Sequence, residues 1–196
     1  MKNHAKTTYK KKSAGFTLIE LIVTVSIAAI LMSIAVPSFK NMIDSNRLST
    51  GTNELVSALI LARSEALKRG QNVSVCAITD QRTCSGTDFA TGWIVFVDCG
   101  VAGTKDIDSD CNGDGDSDDV MIDDDPIIKA SSSIANMTIT KNNAAHFLSY
   151  SFAGRLAGTG TTTFRVALKD SSSGDRAKEI VATRTGRLKT TDVIVQ

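Results

Sequence analysis

The sequence Gly15-Phe16-Thr17-Leu18-Ile19-Glu20 places one carboxylate at the head of an apolar run. Residues 1–15 hold five Lys (Lys2, Lys6, Lys10, Lys11 and Lys12) and no acid, and Leu21 to Val36 carry no charge. A charge in lipid costs about 2.5–3.5 kcal/mol on insertion scales, so Glu20 needs a partner or a snorkelling route to the interface. A second set is dense in carboxylates. Asp108-x-Asp110-x-Asn112-Gly113, followed by Asp114, Asp116 and Asp119, offers the alternate oxygen donors and the turn glycine of a calcium loop. Position twelve of such a loop is ordinarily a bidentate Glu, and Asp119 is shorter. A second register, from Asp110 to Asp118, fits as well, and a plain solvated loop explains the same run. A third set is basic: Arg184, Arg187 and Lys189, with Arg176 and Lys178 upstream. Exposed cations of this kind bind phosphate backbones in a salt-dependent way, as in DNA, and an ordinary solvated hairpin also accounts for them. No aromatic is interleaved, so base stacking has no support.

Cys76, Cys84, Cys99 and Cys111 form the fourth set. An even count beyond an export segment favours disulfides. Four cysteines allow three connectivities, and the local pairs Cys76–Cys84 and Cys99–Cys111 are expected, each closing a loop between strand candidates. Zinc is the weaker reading. There is no C-x-x-C, and the two His are His4 and the remote His146. The same scarcity of His argues against an enzyme: no nucleophile has a base nearby, and no phosphate-cradling Gly motif is present.

The elements that must carry these groups follow from periodicity. Leu18 to Val36 reads as a helix of 19 residues, about 28 Å long, close to a bilayer core. Pro37 removes a backbone donor and is expected to kink it. Residues 40–69 continue as an amphipathic helix, with Leu48, Leu55, Val56, Leu59, Ala62, Ala66 and Leu67 on its apolar stripe and Arg47, Arg63, Glu65 and Lys68 outside it. Gly70 suits the left-handed position that closes a helix. From Asn72 the period becomes two. Strands are expected over 72–79, 92–98, 133–140, 146–152, 161–169, 177–184 and 187–195, with an irregular one over 120–128 broken at Pro126. A long helix followed by many strands predicts an α+β protein with a mostly antiparallel, β-rich head.

The run Lys10 to Phe39, with Gly15-Phe16, Glu20 and the apolar helix in register, resembles the type IV pilin class of prepilins. That resemblance implies a cleaved leader over 1–15, cut by a prepilin peptidase between Gly15 and Phe16, and N-methylation of Phe16. It implies a transmembrane and assembly helix over 16–39 in the bacterial inner membrane, and a role for Glu20 in pairing with the free N-terminal amine of a neighbouring subunit. Ala62-Arg63-Ser64-Glu65-Ala66, Val73-Ser74-Val75-Cys76, Gly92-Trp93-Ile94-Val95-Phe96 and Phe152-Ala153-Gly154-Arg155 are similar to the GspH/FimT family of minor pilins and pseudopilins. The implied molecule is a helix spine, its 40–69 part entering a periplasmic head over 70–196. The implied function is structural: a minor pilin of the FimT/FimU type in the initiation or tip complex of a type IV pilus, with other pilins as partners and no required cofactor. A type II secretion pseudopilus subunit, or a minor pilin that binds DNA for natural transformation through Arg184, Arg187 and Lys189, are the alternatives.

The formal net charge of +1 conceals an uneven distribution. Loss of the five leader Lys takes 22 basic side chains to 17 against 21 acids, a net of −4. Ten of those acids lie within residues 106–125, so the rest of the mature chain is mildly basic.

Overall fold

The computed structural model describes residues 15–79, 84, 86–98, 127–142, 147–158 and 160–195. One helix, α1 (Leu18–Arg69), runs without interruption through Pro37 and joins the two segments expected from the sequence. Thr17 starts it: its carbonyl accepts from Leu21 N at 3.2 Å and its hydroxyl from Glu20 N at 3.3 Å. Gly70, at φ 67°, ends it, with its N–H on Ala66 O at 3.0 Å. The chain separates into two compact units, residues 1–43 and 44–196. The helical part of the first exposes apolar side chains all round, from Leu18 to Ile43.

Among the described residues of the second unit the helix meets eight strands: β1 (Asn72–Ala77), β2 (Trp93–Asp98), β3 (Ile127–Ser131), β4 (Met137–Lys141), β5 (Phe147–Tyr150), β6 (Thr162–Leu168), β7 (Arg176–Ala182) and β8 (Leu188–Ile194). They form two antiparallel sheets, in the orders β3-β2-β1-β5 and β4-β6-β7-β8. Two strands depart from the expected positions. The stretch 133–140 is extended only from Met137, because Asn136 turns the chain at φ 57°. Of the irregular strand expected over 120–128, residues 127 and 128 open β3, which runs on to Ser131, and residues 120–126 lie outside the described residues.

One apolar core lies between α1 and both sheets. Leu48, Leu55, Ala58, Leu59, Ala62 and Ala66 of α1 pack with Val73, Val75, Trp93, Tyr150, Ile139, Phe164, Val166 and Ile180. Leu67, expected on this stripe, is exposed, and Ala58, overlooked there, is buried. The position four residues before Ala62 is the inward one. A 3-10 turn at Phe89–Thr91 helps to join the sheets. Phe89 meets Phe164 edge to face at 5.1 Å, and one Asp88 carboxylate oxygen accepts from Ala90 N at 2.8 Å and Ile139 N at 2.7 Å. A second cluster on the other face of β1 and β2 holds Cys76, Ile78, Cys84, Ile94 and Phe96. It contains the Cys76–Cys84 disulfide expected from the spacing; Cys99 and Cys111 lie outside the described residues.

Candidate functional site

Two places bring together the residues singled out by sequence. The first is the start of α1. Gly15 precedes the helix, with nothing among the described residues within 4 Å of where a Cβ would stand. Phe16 is 84 % exposed. Glu20 lies in the first helical turn, where the helix dipole favours a carboxylate, and its neighbours Leu18, Ile19, Leu21, Ile22 and Val23 all stand exposed. The helix is long and apolar enough to cross a membrane.

The second is a pole of the head where three separate segments meet. Arg63, placed by the sequence outside the apolar stripe, is half-buried and reaches across the fold. Its Nε donates to Gly154 O at 3.0 Å and its Nη2 to Thr185 O at 3.1 Å. Gly154 closes a tight turn over 151–154, with its N–H on Ser151 O at 2.8 Å. Gly186 closes the β7–β8 turn, with its N–H on Thr183 O at 2.8 Å. Its φ of 77° and its approach to Gly154 O and the Arg63 guanidinium leave no room for a side chain. Leu156 N adds a bond to Arg184 O at 3.1 Å.

This pole carries Arg155, Arg184 and Arg187, all exposed, with the exposed Lys189 following on β8. None of the four makes an ion pair among the described residues. Arg155 was missed by sequence reasoning because it is 29 residues from Arg184 in the chain, and only tertiary contacts, the Leu156 bond and the Arg63 fork among them, bring their segments together. Phe152, 63 % exposed, shares the Arg155 loop, so the pole is not without an aromatic. Leu188 packs on the core while Arg187 and Lys189 face out, as the two-residue period requires. Arg176 and Lys178 do not belong to the group. They pair with Ile194 and Asp192, about 20 Å and about 14 Å of strand respectively from the Ala182 and Leu188 end of the ladder. Lys178 is neutralised by Asp192 at 2.6 Å, and Arg176 reaches Ser45 Oγ at 3.4 Å. There a groove of about 650 Å³, lined by Leu48, Ala177 and Ile194 among others, opens between α1 and β7–β8.

Burial perturbs two groups outside the membrane segment. It pushes the Tyr150 phenol up to about 12, with the Arg63 charge pulling the other way. It brings the Lys141 ammonium down to about 8, although its Nζ donates to Phe147 O at 2.6 Å. At the end of α1, hydrogen bonding from Arg69 above all holds the Glu65 carboxyl below its usual range. No group of three or more metal-binding side chains occurs among the described residues. The calcium candidates Asp108, Asp110, Asn112, Asp114 and Asp119 lie outside them.

Comparison with known proteins bears on both places. The family model described as type II transport protein GspH matches residues 51–186, and the prokaryotic N-terminal methylation motif matches residues 10–36. The fold is similar to the crystal structure of the type IV minor pilin FimU of Pseudomonas aeruginosa PAO1. The identity is 18 % and the TM-score 0.55, over 78 % of this chain and 96 % of that one. A second crystal form of FimU gives a TM-score of 0.52 at 18 % identity, over 76 % and 98 %. No curated protein matches. Family and fold are those of pilin-type structural proteins.

Proposed function

The chain belongs to the GspH family, and on that premise we propose that it is a minor pilin of the FimT/FimU type, held in the initiation or tip complex of a type IV pilus. The observation that carries this reading is the bare apolar half of α1 with Glu20 in its first turn. Such a surface needs lipid before assembly and neighbouring helices after it. A prepilin peptidase cuts between Gly15 and Phe16, and Phe16 is N-methylated. The freed amine of one subunit then pairs with Glu20 of the next, which offsets the cost of the buried carboxylate only in the assembled state. The basic leader stays cytoplasmic. The head stands in the periplasm, where the Cys76–Cys84 bond is stable.

Deleting the protein tests the assignment. Loss of surface pili with protein secretion intact supports the pilus reading. Loss of secretion with pili intact moves the subunit to a type II secretion pseudopilus.

The cationic pole favours one addition: the same subunit carries DNA. Three exposed arginines stand on adjoining backbone segments there, with no acid partner among the described residues, and phosphate contacts need that kind of charge. Binding of a DNA duplex by the detergent-solubilised chain, lost when Arg187 and Lys189 are changed to Ala and weakened steeply by salt, is the expected result. Absence of binding at low salt removes the addition and leaves the structural role.

A further inference from the structure

We propose that Arg63 is the positioning residue of the cationic pole: its guanidinium forks between two carbonyls from separate segments and so sets the spacing of Arg155, Arg184 and Arg187. The inference rests on the nucleic-acid reading of that pole and adds to it a residue that touches no ligand.

Each of the three exposed arginines has its backbone pinned and a side chain with no partner among the described residues. Arg155 O accepts from Ser151 N at 2.9 Å and from Ser151 Oγ at 3.2 Å. Arg184 O accepts from Leu156 N at 3.1 Å. Arg187 O accepts from Thr183 N at 2.9 Å and from Thr183 Oγ1 at 3.1 Å. These bonds order the 151–156 loop and the 183–187 turn separately, with the Leu156 bond joining their edges. Arg63 ties them together from the rigid side, since it projects from α1 and holds Gly154 O of one and Thr185 O of the other. Gly186 admits this fork because it has no Cβ; one would strike the guanidinium and Gly154 O. No carboxylate accepts from Arg63 among the described residues, so its charge is met by peptide dipoles alone. A planar guanidinium reaches two acceptors in fixed directions, which a lysine ammonium on a flexible stem does not reproduce. Ordering cations before the ligand arrives removes part of the entropic cost of binding.

The test uses the full chain in detergent micelles, a fluorescent DNA duplex over a salt series, and hydrogen exchange at the Leu156 and Gly186 amides. Arg63→Gln and Arg63→Lys are compared with Arg187→Ala. Both Arg63 variants should weaken duplex binding by about the factor that Arg187→Ala does, with the slope of log K against log salt shallower by about 1 for each arginine released. Both should speed exchange at Leu156 and Gly186 while the Val75 and Val95 amides of the core keep their protection. Wild-type binding and protection in Arg63→Lys would overturn the proposal, since charge alone would then suffice. Equal loss of protection throughout the core would also overturn it, making Arg63 a general stabiliser. If the wild-type chain does not bind the duplex at low salt, the nucleic-acid reading fails and the exchange data decide the positioning role by themselves: faster exchange at the two amides upholds it, and unchanged exchange ends it.

Discussion

At Glu20 the physical question is what a carboxylate does at the head of an apolar helix. Its surroundings in the chain are Ile19, Leu21 and Ile22, all exposed, and no ion pair neutralises it among the described residues. Glu20→Leu should leave the protein inserted in the membrane but poorly incorporated into filaments; normal incorporation, measured in sheared pili, would remove the pairing argument. Tyr150 poses the opposite problem. Its side chain is fully buried and its hydroxyl has no hydrogen-bond partner among the described residues. An orphaned buried hydroxyl costs about 1–3 kcal/mol, so Tyr150→Phe should match or exceed the wild type in thermal stability at pH 7. The phenol keeps its proton in the fold to about pH 12, whereas an unfolded tyrosine loses it near 10. The stabilisation is whole below pH 10 and is lost as the pH rises toward 12, in total about 2–3 kcal/mol. Melting temperatures between pH 10 and 12 should therefore fall more steeply in the wild type than in Tyr150→Phe.

Turns and cross-links decide whether the head keeps its geometry. The β7–β8 turn depends on Gly186 twice over, through a positive φ and through contact with Gly154 O. A non-glycine residue in that conformation costs about 1–3 kcal/mol, and the backbone contact adds to it. Gly186→Ala should lower the melting temperature and disturb the neighbouring Arg184 and Arg187 amides first; an unchanged melting curve would contradict the close packing. The Cys76–Cys84 bond closes a loop of eight residues' separation beside Ile94 and Phe96. Chain-entropy reasoning assigns such a loop about 2–3 kcal/mol. Cys76→Ala with Cys84→Ala should lose roughly that much in chemical denaturation.

The whole molecule has two units with different solvents. Residues 18–43 expose apolar side chains throughout, while residues 44–196 bury a core of Leu, Val, Ile and aromatic side chains. On the proposed reading, processing joins the two roles, because the leader must be removed before the helix can enter a filament with a free amine. Gly15→Val should leave the leader in place, read as a mass larger by 15 residues, with the head folded and the subunit absent from filaments. Cleavage at the usual position in that variant would mean that the glycine is not what the peptidase recognises.

By itself the sequence determined whatever is written in one dimension. The order of basic segment, Gly15-Phe16, Glu20 and apolar helix is local, and so were the helix end at Gly70, the turn at Thr185-Gly186 and the short Cys76–Cys84 pair. A period of two also located most strands to within a few residues, since alternation reports burial of one face. It did not say how eight strands divide between two sheets, because pairing depends on neighbours distant in the chain. Nor could it find the cationic pole. The bonds that build it join Arg63 to residues 91 and 122 positions away. They add Arg155 and leave out Arg176 and Lys178, which are closer to Arg184 in the chain than Arg155 is. Composition had grouped the last strands' cations together; the register of β7 on β8 sends two of them to the far end. Which charges act together is a question of distance in space, and only the packing of α1, the 151–156 loop and the 183–187 turn decided it.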